Sequence, residues 1–302
     1  MSLTAIIFAN NEEATIKCTI DSLLSQTRLP DSILVIANGC QDQTVQKAKD
    51  FGDLIKIVEL DEASKPKSWN YAIKNTPEDY LLFVDADVAV HKETIEKLEN
   101  SLKNSQAIVA TAICVYISDD MKKEMTDSEK VPRHYLHGSC YLADKNNLIK
   151  KMQERGFDKM PEILLNEDHW LSMVIGYNNI VRPSAFFFAH RAHWSDKHKQ
   201  KIRIKRGRKQ LKEDFTEISK EYRSKLPLIR GTFSHRIYEL LNQSPLEAFQ
   251  TLANYLEYKT LSFLASITSS NNDDGWLRAE STKKFIDSKI YNMSLNSHSK
   301  KE

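Results

Sequence analysis

No run of apolar residues in this chain approaches the length of a membrane-crossing helix. No two cysteines stand in a Cys-x-x-Cys spacing. Cys18, Cys40, Cys114 and Cys140 lie far apart, a pattern that fits reduced, buried thiols in a cytosolic protein better than a disulfide framework or a zinc site. An excess of one charge is missing too. The 43 Lys and Arg against 41 Asp and Glu leave a net charge of +2, which argues against bulk electrostatic capture of nucleic acid. There is no internal repeat and no low-complexity segment. The apolar run from Leu3 to Ala9 has no basic flank and meets Asn10-Asn11-Glu12-Glu13 at once, so it reads as a first strand and not as a signal peptide. The 302 residues, 41% of them hydrophobic, suffice for one large core or a core plus an appendage. The expected setting is cytoplasmic, with peripheral contact at the inner face of the membrane left open.

What the chain does have is a junction. Leu81-Leu82-Phe83-Val84 runs straight into Asp85-Ala86-Asp87. Such a short apolar run reads as a strand buried on both faces, as in a parallel α/β sheet. Side chains at i and i+2 point the same way, so the two carboxylates leave the strand's carboxyl end on one side. Crevices at that end are where open α/β sheets hold ligands. Paired carboxylates there suit a hard divalent cation, Mn²⁺ or Mg²⁺, and that cation suits phosphate oxygens. By itself Asp-x-Asp is a weak signal, common on loops and caps.

Strands and helices alternate through the first two-thirds. Strands are expected over Thr4 to Ala9, Ile33 to Ala37, Ile55 to Val58, Leu81 to Val84, Ala107 to Tyr116, Ser139 to Leu142 and Phe186 to Phe188. Helices are expected over Glu13 to Gln26, after Asp42 as a cap, around Trp69 to Lys74, and along the stripe Ile95, Leu98 and Leu102. Glu167 opens another, with Trp170, Leu171, Val174 and Ile175 inward and Gly176 at its end. The order implies a doubly wound, mostly parallel sheet. Beyond about His193 strand signals vanish. A basic helical stretch containing Lys201, Arg203, Lys205, Arg206 and Arg208 precedes the capping box Ser244-Pro245-Leu246-Glu247, and the tail from Ser294 is polar. The expected domains are therefore 1–195 and a helical region, 196–302.

Four further segments fall in the order a nucleotide-sugar site needs. They are Ala9-Asn10-Asn11-Glu12 after the first strand, Ala37-Asn38-Gly39-Cys40-Gln41-Asp42 after the second, Lys65-Pro66-Lys67-Ser68-Trp69-Asn70 before the Asp-Ala-Asp strand, and Asn166-Glu167-Asp168-His169-Trp170 about eighty residues after it. With these, residues 1 to roughly 195 resemble the family 2 glycosyltransferases, inverting enzymes of the GT-A fold. The resemblance implies a nucleotide-diphosphate sugar donor, most often a UDP-sugar, and a saccharide, lipid-linked glycan or peptide acceptor. It implies Asn10, Glu12 and Asn38 around the base and ribose, Lys65 and Asn70 near the nucleotide, and Asp85 with Ala86 at the ribose or the metal's water shell. Asp87 would ligate the metal, with Asp85 and His190 as further candidates, and Asp168 would be the general base with Glu167 beside it. Two departures stand out: Ala37-Asn38 replaces the acidic pair common after the second strand, and Pro66-Lys67 replaces small residues.

Displacing a nucleoside diphosphate from an anomeric carbon requires charge stabilisation on the leaving group and a base on the opposite face. Other readings compete. Asp168 and Glu12 could be helix-capping acids, and His190 a structural histidine. The basic stretch could be a solvated helix face, a flap over the diphosphate or a lipid-facing patch. A sugar-phosphate nucleotidyltransferase would also use acidic metal ligands on an α/β sheet, but opens with a Gly-rich, Arg-bearing loop that Ala9-Asn10-Asn11-Glu12 is not. A degenerate nucleotide-sugar binder would have no need of Asp168.

Overall fold

The computed structural model describes residues 1–117, 123–124, 136–190, 194–225, 256, 259–260, 264, 282–284 and 286–292. Four parallel strands form its centre: β1 (Leu3–Ala9), β2 (Ser32–Asn38), β3 (Lys56–Leu60) and β4 (Tyr80–Asp85), side by side in the order β3-β2-β1-β4. Three helices connect them: α1 (Ile16–Leu24), α2 (Thr44–Lys49) and α3 (Lys65–Asn75). Ile6, Ile7 and the whole run Leu81 to Val84 are fully buried, the burial on both faces that a continuous apolar strand requires. Strand order reverses at β1, so its carboxyl end and that of β4 flank the crevice where such sheets hold ligands.

α3 begins earlier than Trp69. Ser64 caps it by accepting from the Lys67 N–H at 3.3 Å, and Pro66 sits in the first turn, where its missing N–H costs nothing. Lys65 is thereby placed on the first turn, facing the end of β4.

After β4 come β5 (Val88–Val90), α4 (Thr94–Lys103), β6 (Val109–Thr111), β7 (Ile113–Ile117), β8 (Lys123–Glu124), β9 (Cys140–Asp144), α5 (Lys145–Glu154), α6 (Glu167–Ile175), β10 (Ile180–Val181) and β11 (Phe186–His190). The large sheet runs β10-β6-β9-β4-β1-β2-β3, with β9 antiparallel to both its neighbours. A second sheet, β5-β11-β7-β8, was not expected. The run Ala107 to Tyr116 is accordingly not one strand. Its hydrogen bonding changes partner across one peptide: Ala112 N–H donates to Cys140 O at 3.0 Å, and Ile113 N–H to Ala185 O at 2.7 Å.

By compactness the chain forms two units, Met1–Arg191 with Ser281–Glu302, and Ala192–Glu280. This differs from the expected division at 195. The chain comes back to the first unit because Ile286 and Ile290 bury with Cys18, Ala89, Val115, Ile117 and Phe188. Ile286 stands just before, and Ile290 within, a short helix, α9 (Ser288–Tyr291), once α7 (Trp194–Asp214) and α8 (Thr216–Lys225) of the second unit have been counted. The basic stretch lies on α7. The helix expected from Pro245 with its capping box, His193 and the tail from Ser294 lie outside the described residues, single positions such as Leu256 and Leu264 apart. Among the described residues no helix is long and apolar enough to cross a membrane.

Candidate functional site

Two carboxylates and one ammonium define the end of β4. Lys65 Nζ lies 2.6 Å from Asp85 Oδ1 and 3.1 Å from Glu167 Oε1, and donates to Gly138 O at 3.2 Å. All three charged side chains are mostly covered, with 15%, 24% and 16% exposure. Burial pushes the Lys65 ammonium toward losing its proton, but Asp85 and then Glu167 outweigh that and hold its pKa above the ordinary lysine range. Beneath it, Phe8, Phe83 and Tyr141 stack in series, with ring centroids 5.8 and 4.9 Å apart. The Phe8 ring centroid is 6.0 Å from Lys65 Nζ, and Tyr141 accepts a hydrogen bond from Trp69 Nε1 at 2.9 Å. An apolar floor of this kind strengthens every charge interaction above it.

Asp87 is pinned from below by α1. Thr19 Oγ1 lies 2.8 Å from Ala86 O and 2.7 Å from Val88 O, the carbonyls on either side of Asp87. One helical turn on, Ser22 Oγ accepts from Val90 N–H at 3.0 Å, and Gln26 Nε2 donates to His91 O at 2.9 Å. Thr19, Ser22 and Gln26 are buried polar residues that sequence inspection passed over. Their spacing places a polar stripe inside the core, satisfied by backbone groups in and around β5, by the Ile95 N–H and by carbonyls of α1 itself. Burial and the neighbouring Asp85 charge push the Asp87 carboxyl up to about 6.

Asp168 opens α6 one residue after Glu167. Its Oδ1 accepts from the His169 N–H at 2.6 Å. A Cβ placed on Gly138 would stand 2.9 Å from Asp168 Cβ and 3.3 Å from its Oδ2, so the absent side chain at 138 is what lets the carboxylate lie there. Gly138, His137 and Tyr141 are site neighbours that the sequence did not single out. His137 Nδ1 accepts from Ser139 N–H at 3.4 Å, and its ring meets Phe187 edge-on. Burial outweighs the pull of Asp85 and lowers its pKa to about 4.

At the end of β1, Asn10 is buried and its Nδ2 donates to Asn38 O, closing the carboxyl ends of β1 and β2 on each other. Asn11 adopts φ 54° and accepts from Gln41 N–H at 2.7 Å, a left-handed position that Asn tolerates. Glu12 receives the Thr15 hydroxyl at 3.2 Å, in the turn just ahead of α1, and also lies 3.7 Å from Lys283 Nζ. Asn70, expected beside the nucleotide, uses its carboxamide elsewhere: it donates to Met160 O and accepts from Met160 N–H, both at 2.9 Å.

His190 is buried on β11. β11 pairs with β5 as far as Ala189 opposite Val88, so His190 and Asp87 are the next residues along their two segments. Among the described residues no three His, Cys, Asp or Glu groups close into a ready-made metal cage. The donor set still fits a hard cation of the kind held by one or two carboxylates plus phosphate oxygens and water. Burial first, and then the Asp85 charge, raise the Asp87 pKa, and a cation beside the carboxylate would favour its charged form. Thr282 and Lys283 also reach the site from the far end of the chain.

The fold is shared with solved glycosyltransferases. A mannosyltransferase of Pyrobaculum calidifontis, in complex with GDP-Man and Mn²⁺, superposes with a TM-score of 0.61 at 16% identity, covering 89% of this chain and 86% of that one. Residues 1–349 of TarS from S. aureus, in complex with UDP, give 0.51 at 21%, covering 68% and 64%. Among curated relatives, an uncharacterized glycosyltransferase of Rickettsia typhi is 28% identical over 189 residues, 57% of this chain and 56% of its own length. The glycosyltransferase GlyA of Streptococcus pneumoniae is 26% identical over 111 residues, 36% of this chain and 16% of that protein. The chain thus spans about half or less of the curated relatives it matches. The family model for glycosyl transferase family 2 matches residues 4–187, from β1 into β11. With well over half of its length inside that match, the chain belongs to glycosyl transferase family 2.

Proposed function

We propose that this protein transfers a sugar from a nucleoside-diphosphate donor, a UDP-sugar in the first instance, to an acceptor hydroxyl, with inversion at the anomeric carbon. The observation that carries the reading is the Lys65 bridge. By binding Asp85 at 2.6 Å and Glu167 at 3.1 Å it ties the end of β4 to the start of α6. In this reading Asp168, next to Glu167 in the chain, serves the acceptor while Asp87 serves the leaving diphosphate. Inverting transfer needs that separation of roles: charge relief for the leaving diphosphate on one wall and a base on the other.

Asn10, Glu12 and Asn38 at the ends of β1 and β2 take the base and ribose; Asp85 and Ala86 take the ribose side of the diphosphate. Asp87, with Asp85 and His190 as its nearest candidate partners, holds Mn²⁺ or Mg²⁺. When bound, that cation supplies charge neutralisation to the departing phosphate oxygens. Asp168 accepts the acceptor hydroxyl's proton as the new bond forms, and the Lys65 pair keeps Glu167 oriented beside it. The acceptor is a saccharide, lipid-linked glycan or peptide. Free thiols at Cys18, Cys40, Cys114 and Cys140 support a reducing, cytoplasmic setting. TarS with UDP and the Pyrobaculum enzyme with GDP-Man frame the donor choice. The family match favours transfer over the nucleotidyltransferase alternative.

A donor screen tests this reading directly. Hydrolysis of UDP- and GDP-sugars is followed with and without Mn²⁺, and the product's anomeric configuration is read by NMR. Turnover of at least one donor with inversion is expected. No turnover of any donor, or a retained configuration, overturns it.

A further inference from the structure

The first unit is not finished at β11. Residues 282–284 and 286–292 come back to it, some ninety positions later in the chain, and Thr282 and Lys283 reach the residues just after β1 and β4. Their anchoring is built in: Ile286 and Ile290 are buried at 2% and 4% exposure, and the Cys18 thiol donates to Ile286 O at 3.0 Å. Just ahead of that anchor, Thr282 Oγ1 donates to Asp87 Oδ2 at 3.1 Å. The next residue, Lys283, donates to Asn11 O at 2.8 Å and lies 3.7 Å from Glu12 Oε1. Two consecutive residues thus span from the base side of the crevice to the carboxylate at its metal side.

The charge balance of the crevice makes this placement matter. Asp85, Asp87, Glu12, Glu167 and Asp168 are acidic, and Lys65 is committed to Asp85 and Glu167. A nucleoside diphosphate entering such a crevice meets acidic side chains unless more positive charge is supplied. Lys283 supplies an ammonium beside Glu12, 12% exposed, one residue from the Thr282 that touches Asp87, so its side chain can turn from the distant Glu12 oxygen toward a phosphate on the Asp87 side. Charge-assisted hydrogen bonds to phosphate are shorter and stronger than the 3.7 Å pairing it replaces.

Resting on the donor site proposed above, we infer that the Thr282–Lys283 strap completes that site: Lys283 is a diphosphate-binding residue, and Thr282 positions Asp87. The acceptor-independent half of the reaction, donor capture, therefore depends on a segment outside the family match.

Calorimetry on the full-length chain tests the strap, with UDP and GDP as probes, each with and without Mn²⁺. Uridine and guanosine, followed by saturation-transfer NMR, serve as phosphate-free probes. Lys283→Met is expected to weaken diphosphate binding about tenfold or more while nucleoside binding is kept. Lys283→Arg should retain most of the affinity. Lys283→Gln keeps an N–H donor, on a side chain one atom shorter, but removes the charge, and should behave as Lys283→Met does if charge is what counts. Thr282→Val should reduce only the Mn²⁺-dependent gain in affinity. Thermal melts by circular dichroism confirm that each variant is folded.

Undiminished diphosphate affinity in Lys283→Met and Lys283→Gln overturns the strap's role and leaves the donor site standing. Equal loss for nucleoside and diphosphate also overturns it, because the strap would then only shape the pocket. A folded wild-type chain that binds neither nucleotide overturns the donor site and the strap together.

Discussion

Gly138 and Asp168 lie against each other, and the close approach exists because position 138 has no side chain. A Cβ there would come within 2.9 Å of Asp168 Cβ and 3.3 Å of Oδ2, closer than real side chains pack. Gly138→Ala should therefore push the carboxylate off its position. Turnover is expected to fall about 10²-fold, the scale of an ångström's misplacement of a catalytic group, while the Kd for UDP stays near wild type. Steady-state kinetics beside calorimetry check it, and unchanged kcat would show that Asp168 is not the base.

Asp168→Asn is the direct counterpart. It preserves shape but cannot take a proton, so turnover should drop ~10²-fold or more with donor affinity intact. Transfer at the wild-type rate would reduce Asp168 to a first-turn acid of α6.

Asp87→Ala should abolish the Mn²⁺-dependent part of UDP binding, since Asp87 stands at the end of β4 with its backbone pinned by Thr19. Titrating UDP with and without Mn²⁺ measures this. A mutant that keeps the same metal-dependent gain removes Asp87 from the metal site.

Lys65→Met leaves Asp85 and Glu167 facing each other without a counter-charge. Breaking a mostly buried pair by removing one partner is expected to cost on the order of 2–3 kcal/mol here, less than a fully buried pair because both acids keep some solvent. Urea denaturation reads the loss. Adding Asp85→Asn to Lys65→Met should recover part of it, because one of the stranded charges is then gone.

His137 makes stability sensitive to acid. Its folded pKa of about 4 lies below the ordinary 6.5, so between those values the unfolded chain binds a proton that the native chain does not. Stability is then fully present above pH 6.5 and falls as pH drops toward 4, by about 1.4 kcal/mol per pH unit at most for this group. His137→Gln should show a shallower decline of Tm over that window than wild type. Equal slopes would mean that other groups set the acid sensitivity.

Much of the central fold was legible because its signals are local. Buried parallel strands are uninterrupted apolar runs, and β1, β2 and β4 follow that pattern within a residue or two. The start of α6 at Glu167 and its end at Gly176, with φ 82°, were readable from the inward face and the glycine. The run from Ala107 to Tyr116 misled for the same reason. Hydrophobic, β-rich residues say "strand" but carry no mark of which strand they pair with, so the switch between Cys140 and Ala185 as partners was invisible. Asn70 misled in another way: its type suits a ligand, yet a loop ninety residues on claims its carboxamide.

By itself, the order of residues determined the strand–helix alternation, the Asp85-Ala86-Asp87 junction at a strand's carboxyl end, and the family to which these motifs point. Each of these is a short-range pattern of side-chain size, polarity and period. The tertiary structure alone decided what meets at the site. Lys65 between Asp85 and Glu167, Gly138 against Asp168, Thr19 under Asp87, and Thr282 with Lys283 from near the far end of the chain are all contacts between residues distant in sequence. Pairings of that kind are set by how burial brings separate elements together, as Ile286 and Ile290 do for the strap, and no local pattern encodes the partner.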